Sequence, residues 1–484
     1  MFRSALPISL STLCMLALTL PAPAQDEKPA KKNAPKAPAP ERPEDEYEKF
    51  AKKPETPPEF WHAMQFEIAV GRYELAARYL HGLLALKPDD KDLLAIIDKY
   101  GMSAILGLRN IPKWSDDPKE AAQARKDVEE LIRQASAAQK KLLSDPERIR
   151  RFVANLHGTP EERDYAVQEL YRSGAAAVPY LIDALRDAQG DERTDILFAL
   201  GRMPAEAVPP ILAALDIPDA SLQVELIDAV LNRVTEHRIY NPATKREVVD
   251  RVSDLPNLRR YAGTNPAPYW FWLSASPNAA VSQEATRALT LLLGVDASRL
   301  PPAKRALTEA AERYYRHQVR FLDPAAVTVW RWDGKHVVAG WPGAPTVSTT
   351  RAEEYYGLRF ARQALDIDPA YEPAQLVFLS LALEKGVERA GLDGSLAKDA
   401  PSVDQLLGVV NPSLVVAVLE RGLADKNLPV ILGATRALGR LADTRATRAT
   451  AQGEAALLRA LYYPNRRIQM AAADTILRLP VNPS

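Results

Sequence analysis

Apolar positions recur with helical spacing along most of this chain, and two stretches of that pattern are nearly identical. Residues 177–185 and 207–215 both begin with Ala-Val-Pro, continue with apolar residues, and end with Ala-Leu. The two stretches are separated by about 30 residues, the length of one helical hairpin. Pro179 and Pro209 take the same place in each, where proline favours the first turn of a helix. The pattern predicts repeated helical hairpins, each of which needs a neighbour to bury its apolar face.

A turn signature accompanies these repeats. The first predicted hairpin turns at Ser173-Gly174 and the second near Met203-Pro204. The stretch Ala-Leu-Gly-Arg at residues 199–202 returns at residues 437–440. These features resemble HEAT-repeat proteins of the phycobilisome-lyase-like class, in the form that bacteria secrete. The resemblance implies an α-solenoid that binds other molecules, and we find no residue constellation that supports lyase activity.

A second kind of hairpin is predicted near the start of the ordered region. Gly71 precedes an aromatic residue, Ala76 lies where helices touch, and Pro88 follows the second helix. This stretch resembles the second half of a tetratricopeptide (TPR) repeat. Residues 364–374 resemble the end of one such helix and the start of the next.

The predicted fold class is therefore all-α, an α-solenoid or superhelix of TPR-like and HEAT-like helical hairpins with one short inserted β-hairpin. The insert is expected at 327–338, where Asp333-Gly334 is a strong turn signal. Thr350 and Glu353 match a capping box at the start of the next helix. The predicted segments are a signal peptide (1–24), a disordered linker (25–58), a TPR-like part (59–145), HEAT-like repeats (146–235), an irregular helical middle (236–350), a second TPR-like part (351–400) and C-terminal HEAT-like repeats (401–484).

The N-terminal segment indicates export. Arg3 precedes an apolar stretch of residues 5–20, and small residues lie before Gln25 at a plausible cleavage site. An uncleaved anchor is the alternative. Cys14 is the single cysteine, so cleavage leaves a chain without thiols or disulfides. We expect a periplasmic or cell-envelope location, with no membrane span after the signal is removed.

Composition and motifs argue against several function classes. The chain has 62 basic and 62 acidic residues, so no strong field favours nucleic acid or an anionic membrane. Its six histidines lack metal-ligand spacing, and no Gly-x-Ser-x-Gly or phosphate-binding glycine motif is present. We therefore predict no catalytic residue, no metal and no cofactor. The basic pairs, such as Arg259-Arg260, are expected on a solvated face or in intrachain ion pairs.

Aromatic residues are scarce, but two groups of them stand out in the irregular middle. The candidate partner-binding residues are Tyr269, Trp270, Trp272, Trp330, Trp332 and Trp341. Large rings of this kind mark binding hot spots, so one hypothesis places them around a recognition groove. The alternative is that the rings fill the seam where the regular repeats break down.

These observations favour an exported, non-catalytic scaffold that presents a solenoid surface to a protein or peptide. One alternative is a cell-envelope enzyme with a site in the aromatic-rich middle, where His317, His336 and Asp333 are the residues to compare. Another is the N-terminal scaffold part of a larger signalling assembly. The partner and the oligomeric state are left open by the sequence.

Overall fold

The computed structural model describes residues 53–241, 246–253, 255–341, 343–394, 411–442, 444–448 and 453–480. The predicted signal peptide and most of the predicted linker lie outside these ranges. Within them the chain is mostly helical, which confirms the all-α class. The chain divides into two compact units, Met1–Ile132 and Arg133–Ser484.

The first unit consists of short helices, two of which lie where the sequence predicts a helical hairpin. Gly71 has a φ of 80°, and this left-handed conformation joins the first two helices as predicted. The first helix begins at Pro57, inside the predicted linker, because Thr56 and Glu59 form a capping box. The helices are α1 (Pro57–Ala69), α2 (Tyr73–Ala85), α3 (Asp90–Tyr100), α4 (Met102–Gly107) and the start of α5 (Pro118–Leu143).

The second unit holds the remaining helices and both β-hairpins of the described residues. Its elements are α6 (Pro146–Asn155), α7 (Pro160–Ser173), α8 (Val178–Asp187), α9 (Gly190–Arg202), α10 (Val208–Ala214), α11 (Ala220–Leu231), β1 (Val234–Asn241), β2 (Arg246–Ser253), α12 (Leu255–Leu258), α13 (Ala267–Ser274), α14 (Ala279–Leu293), α15 (Ala303–Tyr315), β3 (Trp330–Trp332), β4 (Val337–Ala339), α16 (Thr349–Ile367), α17 (Glu372–Ala390), α18 (Pro412–Asp425), α19 (Leu428–Leu441), α20 (Ala456–Leu461) and α21 (Arg466–Arg478).

The helices of the two predicted hairpins are present. Gly174 lies between α7 and α8, and Met203-Pro204 lies between α9 and α10. Pro179 and Pro209 both lie in the first turn of their helices. Leu170, Leu185 and Leu200 are fully buried, so the apolar spacing in the sequence corresponds to one buried face.

Helix packing in the second unit follows the order of the chain. From α6 to α11, and again from α13 to α21, most helices contact the next helix or the next but one. The inserted β-hairpin breaks this order, because β3 packs against α10 and β4 packs against α8 and α10. A segment that lies more than a hundred residues further along the chain therefore covers part of α8 and α10.

An antiparallel β-hairpin replaces part of the predicted helical middle. Strands β1 and β2 pair from Val234 opposite Ser253 to Asn241 opposite Arg246. The prediction of helix here is wrong, because β-branched residues recur through both strands and favour extended backbone.

The inserted β-hairpin is present but its turn differs from the prediction. Trp332 pairs with Val337, so residues 333–336 form a four-residue loop rather than a two-residue turn. The Asp333 carboxylate accepts hydrogen bonds from the backbone N–H groups of Lys335 and His336, both at 2.8 Å. These bonds hold the pKa of Asp333 below its usual value. Asp333 thus stabilises its own turn.

The predicted capping box at Thr350 and Glu353 is wrong. Helix α16 begins earlier, at Thr349, and the Ser348 hydroxyl accepts the capping hydrogen bond from the Arg351 N–H. Glu353 consequently lies one turn inside the helix, where it is buried.

No single helix in these described ranges is long and apolar enough to cross a membrane. One bent pair, Gly190–Arg202 with Ala205–Ala214, meets the length and composition criteria only when its two members are taken together across a 118° bend.

Gly357 on α16 lies where this helix closely approaches α15 and α17. A Cβ atom at this position would lie 2.8 Å from Cδ1 of Leu381 in α17 and 3.1 Å from Cβ of Tyr314 in α15. We expect Gly357→Ala to lower the free energy of unfolding by about 1–3 kcal/mol, because the added methyl group overpacks this junction. Equilibrium urea unfolding measures the loss.

Gly201 provides the matched control, since it is also inside a helix but has no atom within 4 Å of a Cβ position. We expect Gly201→Ala to raise stability by roughly 0.5–1 kcal/mol through helix propensity alone. Equal effects of the two substitutions would contradict close packing at Gly357.

Candidate functional site

The predicted aromatic residues all belong to the core of the second unit or pack against it. Three of them, Tyr269, Trp270 and Trp330, are buried, with 4%, 0% and 9% of their surface exposed. The other three are half-buried, and they are Trp272, Trp332 and Trp341. The structure therefore places these rings inside the fold, as the seam-filling alternative expects.

Tyr269 and Trp270 are buried within the second unit. Both lie on α13, which packs against α14 and α15 and is buried along most of its length. A helix that is apolar all round has no face to offer to a partner. Trp272 is half-buried on the same helix.

Trp332 contacts another side chain of the second unit, Arg186. The Arg186 guanidinium on α8 lies 5.3 Å from the centre of its ring, and Arg186 also donates a hydrogen bond to the Lys335 carbonyl. Next to it, Nδ1 of His336 lies 2.9 Å from a carboxylate oxygen of Asp183. These contacts join the tip of the inserted β-hairpin to α8.

A connected set of rings extends from Trp341 into the core. Its ring meets that of Tyr355 edge-on at 5.7 Å, and Tyr355 meets Tyr356 at 5.0 Å. Tyr356 in turn stacks with Tyr314 at 5.8 Å and with Phe360 at 6.3 Å. These contacts fix the position of α16 relative to α15 and the inserted segment.

An apolar cleft opens beside these rings, and we call it the hairpin cleft. Its volume is about 690 Å³, which is in the range of small-molecule and peptide-anchor pockets. Large apolar or aromatic residues in its wall include Leu143, Pro209, Phe321, Val327, Trp330 and Tyr356. Trp330 is thus the one predicted candidate that faces this cleft.

The Tyr356 hydroxyl is a buried polar group in the wall of the hairpin cleft. Tyr356 has only 2% of its surface exposed, and among the described residues its hydroxyl has no hydrogen-bond partner. Burial raises the pKa of Tyr356, so the hydroxyl stays protonated and is able to donate. Gly263, with a φ of 86°, lets the chain pass this hydroxyl, because a Cβ there would lie 3.2 Å from the oxygen.

Charged side chains surround the mouth of the hairpin cleft. Lys140 and Arg172 contribute positive charge, and Glu206 and Asp323 contribute negative charge. Arg172 also donates a 2.9 Å hydrogen bond to Glu169. The cleft thus combines apolar walls, the Tyr356 hydroxyl as a hydrogen-bond donor, and charged side chains of both signs at its rim. This combination suits a peptide segment that has an apolar anchor residue flanked by polar residues.

The histidines proposed for the enzyme alternative are engaged elsewhere. His317 Nδ1 lies 2.8 Å from a Glu353 oxygen, and the His336–Asp183 pair ties down the β-hairpin. None of these four residues lines the hairpin cleft. Within the described ranges, no group of three or more His, Cys, Asp or Glu side chains has the geometry to hold a metal ion.

Sequence reasoning missed most of the hairpin cleft. Phe321, Val327 and Tyr356 lie on segments far from Pro209 in the chain, and only the tertiary fold joins them. Gly263, two residues after Tyr261 and two before Asn265-Pro266, was a local signal of an unusual turn.

No protein-family model and no curated protein matches this chain.

Proposed function

We propose that this protein is an exported, non-catalytic scaffold that binds a peptide segment of a partner protein in the hairpin cleft. The observation that carries the proposal is the cleft itself, an apolar space with the protonated Tyr356 hydroxyl in its wall. Hydrophobic pockets with a few fixed polar groups are the usual form of a binding site.

The scaffold part of the proposal is an α-solenoid in the second unit. Two HEAT-like hairpins and the C-terminal helices each pack on their neighbours in chain order, which is the arrangement that solenoids require. The HEAT-like Ala-Leu-Gly-Arg signature occurs in both α9 and α19. Stacked hairpins of this kind hold a binding surface rigid, so a peptide meets a preformed cleft.

The chemistry of the partner follows from the walls. An apolar or aromatic anchor side chain fits the space between Phe321, Val327 and Trp330. A backbone carbonyl of the peptide is the natural acceptor for the Tyr356 hydroxyl. Flanking residues of either charge meet Lys140 or Asp323 at the rim.

Export rests on the N-terminal pattern and on thiol content. The segment before Gln25 has the charge, apolar length and small residues of a secretory signal. A chain whose single cysteine is Cys14 needs no disulfide and has no thiol to mispair after cleavage.

Filling the hairpin cleft tests the proposal. We expect a random peptide library selected on the mature chain to yield sequences with one aromatic or large aliphatic anchor. Thr328 is half-buried in the wall, so Thr328→Trp fills the cleft and is expected to weaken the selected peptides at least about tenfold, or ~1.4 kcal/mol. Fluorescence anisotropy measures the affinities.

Leu477→Trp is the matched control, because Leu477 is 84% exposed on α21 and lies outside the cleft. It should leave peptide affinity unchanged. Peptides that bind Thr328→Trp as tightly as the natural chain would rule out the hairpin cleft as their site.

A further inference from the structure

A second cleft in the second unit has a very different character. Its volume is about 490 Å³, and four arginines line it, namely Arg259, Arg260, Arg313 and Arg320. We call it the arginine cleft. All four side chains are exposed, no acidic residue is among the described residues that line the cleft, and none of the four guanidinium groups forms an ion pair with a described carboxylate.

Several arginines elsewhere in this unit form ion pairs with carboxylates. A third cleft, beside α19 and α21, is also rich in arginine, but there Arg467 pairs with Asp393 and Arg478 with Asp474. The sequence predicts the basic residues on a solvated face or in intrachain ion pairs. Arg148 pairs with Glu169, whereas Arg259 and Arg260 are exposed and form no ion pair with a described carboxylate.

The backbone brings these arginines together from two separate segments. His317 has a φ of 52°, which ends α15 and turns the chain back after Arg313. The N–H of Ala262 then donates a 2.7 Å hydrogen bond to the carbonyl of Arg320. This bond joins the loop that follows α12 to the segment that follows α15, so the walls of the cleft are fixed before any ligand binds.

Neutral groups form the rest of the arginine cleft. Tyr269, Tyr314 and Phe360 lie at its buried side, and Asn265 and Gln318 add amide groups. Burial raises the pKa of both tyrosines, so their hydroxyls remain uncharged. The charge of the cleft is therefore that of its arginines.

Four guanidinium groups around one cavity repel one another, and an anion relieves that repulsion. Arginine is suited to this task because its planar donors match the oxygens of phosphate and carboxylate groups. Two linked phosphates supply a charge of about −3 in a small volume, which balances four arginines better than a single carboxylate does. We propose that the arginine cleft binds a ligand that carries a diphosphate group, either in solution or at the head of a lipid.

Isothermal titration with inorganic pyrophosphate tests the proposal on the mature chain. We expect a Kd of about 1 mM or tighter at low salt, weakened by added NaCl because salt screens the arginine charges. The double variant Arg260→Gln/Arg313→Gln should weaken binding at least about tenfold, since it removes two charge-assisted donors. Neither residue lines the hairpin cleft, so the selected peptides should bind this variant normally.

Arg299→Gln/Arg466→Gln is the matched control, because both arginines are exposed, both lie outside the cleft, and the double change removes the same total charge. It should bind pyrophosphate as the natural chain does. Flotation with phosphatidylcholine vesicles that contain a polyprenyl diphosphate separates the two sources, because flotation that the double variant abolishes assigns the cleft to a lipid diphosphate. Pyrophosphate binding without flotation assigns it to a soluble ligand.

Three results would overturn the proposal. They are no binding to pyrophosphate or vesicles, equal binding by the double variant, and binding of citrate as tight as that of pyrophosphate. The last result would assign the cleft to carboxylates instead.

Discussion

Trp270→Ala should lower the free energy of unfolding by about 3–5 kcal/mol, one of the two largest losses we expect from a single substitution. The indole is fully buried on α13, between α14 and α15. Its removal leaves a cavity among helices that close packing holds in place. Urea unfolding followed by far-ultraviolet circular dichroism measures the loss.

Two further substitutions show that the loss comes from packing. The Trp270 Nε1–H has no hydrogen-bond partner among the described residues, so Trp270→Phe breaks no bond and should cost roughly half as much as alanine. Tyr462→Ala removes a ring that is 79% exposed and should stay within about 0.5 kcal/mol of the natural chain. A small effect of Trp270→Ala would instead return this ring to the list of candidate partner contacts.

The helices of this chain were predictable because their signals are local. Apolar spacing, Pro179 and Pro209 in the first turn, and Gly174 between the helices act within a few residues of one another. Gly71 likewise forms the turn that its place in the sequence predicts. Such signals do not depend on the rest of the fold, so the helices and turns that they predict are present in the structure.

Features that depend on long-range contacts were predicted poorly. The hairpin of β1 and β2 was missed because its β-branched residues lie in a polar stretch with no tight turn dipeptide. Glu353 matched a capping motif, yet the helix begins at Thr349 and the carboxylate faces His317 and Lys385. Tertiary contacts, and not the local capping motif, therefore determine the position of Glu353.

The two clefts also depend on long-range contacts. Trp330 and Arg259-Arg260 stand out in the sequence, but the sequence does not predict which residues lie around them. The hairpin cleft needs Pro209 and Tyr356 in one place, and the arginine cleft needs Arg260 and Arg313, which come from segments on either side of α13 and α14. Residue type signalled the chemistry, while the fold alone decided which residues share a cavity.

Lys385→Met should also lower the free energy of unfolding by about 3–5 kcal/mol, because it leaves buried carboxylates without their cation. Lys385 on α17 is 1% exposed, and its Nζ lies 3.1 Å from Glu388, 3.6 Å from Glu384 and 4.0 Å from Glu353. Glu384 and Glu353 are themselves 1% and 5% exposed. Methionine fills a similar volume, so the loss reports charge rather than packing.

A second substitution tests that cause. Lys385→Met/Glu384→Gln removes the cation together with one of its anions, and we expect the double variant to recover part of the loss, by about 1 kcal/mol or more. Arg305→Met is the control, because Arg305 pairs with Glu309 at 2.8 Å while both side chains remain over half exposed. It should cost less than about 1 kcal/mol. An equal loss of unfolding free energy for Lys385→Met and Arg305→Met would contradict this explanation. It would mean that water reaches the three glutamates and that α15, α16 and α19 enclose α17 less tightly than its burial indicates.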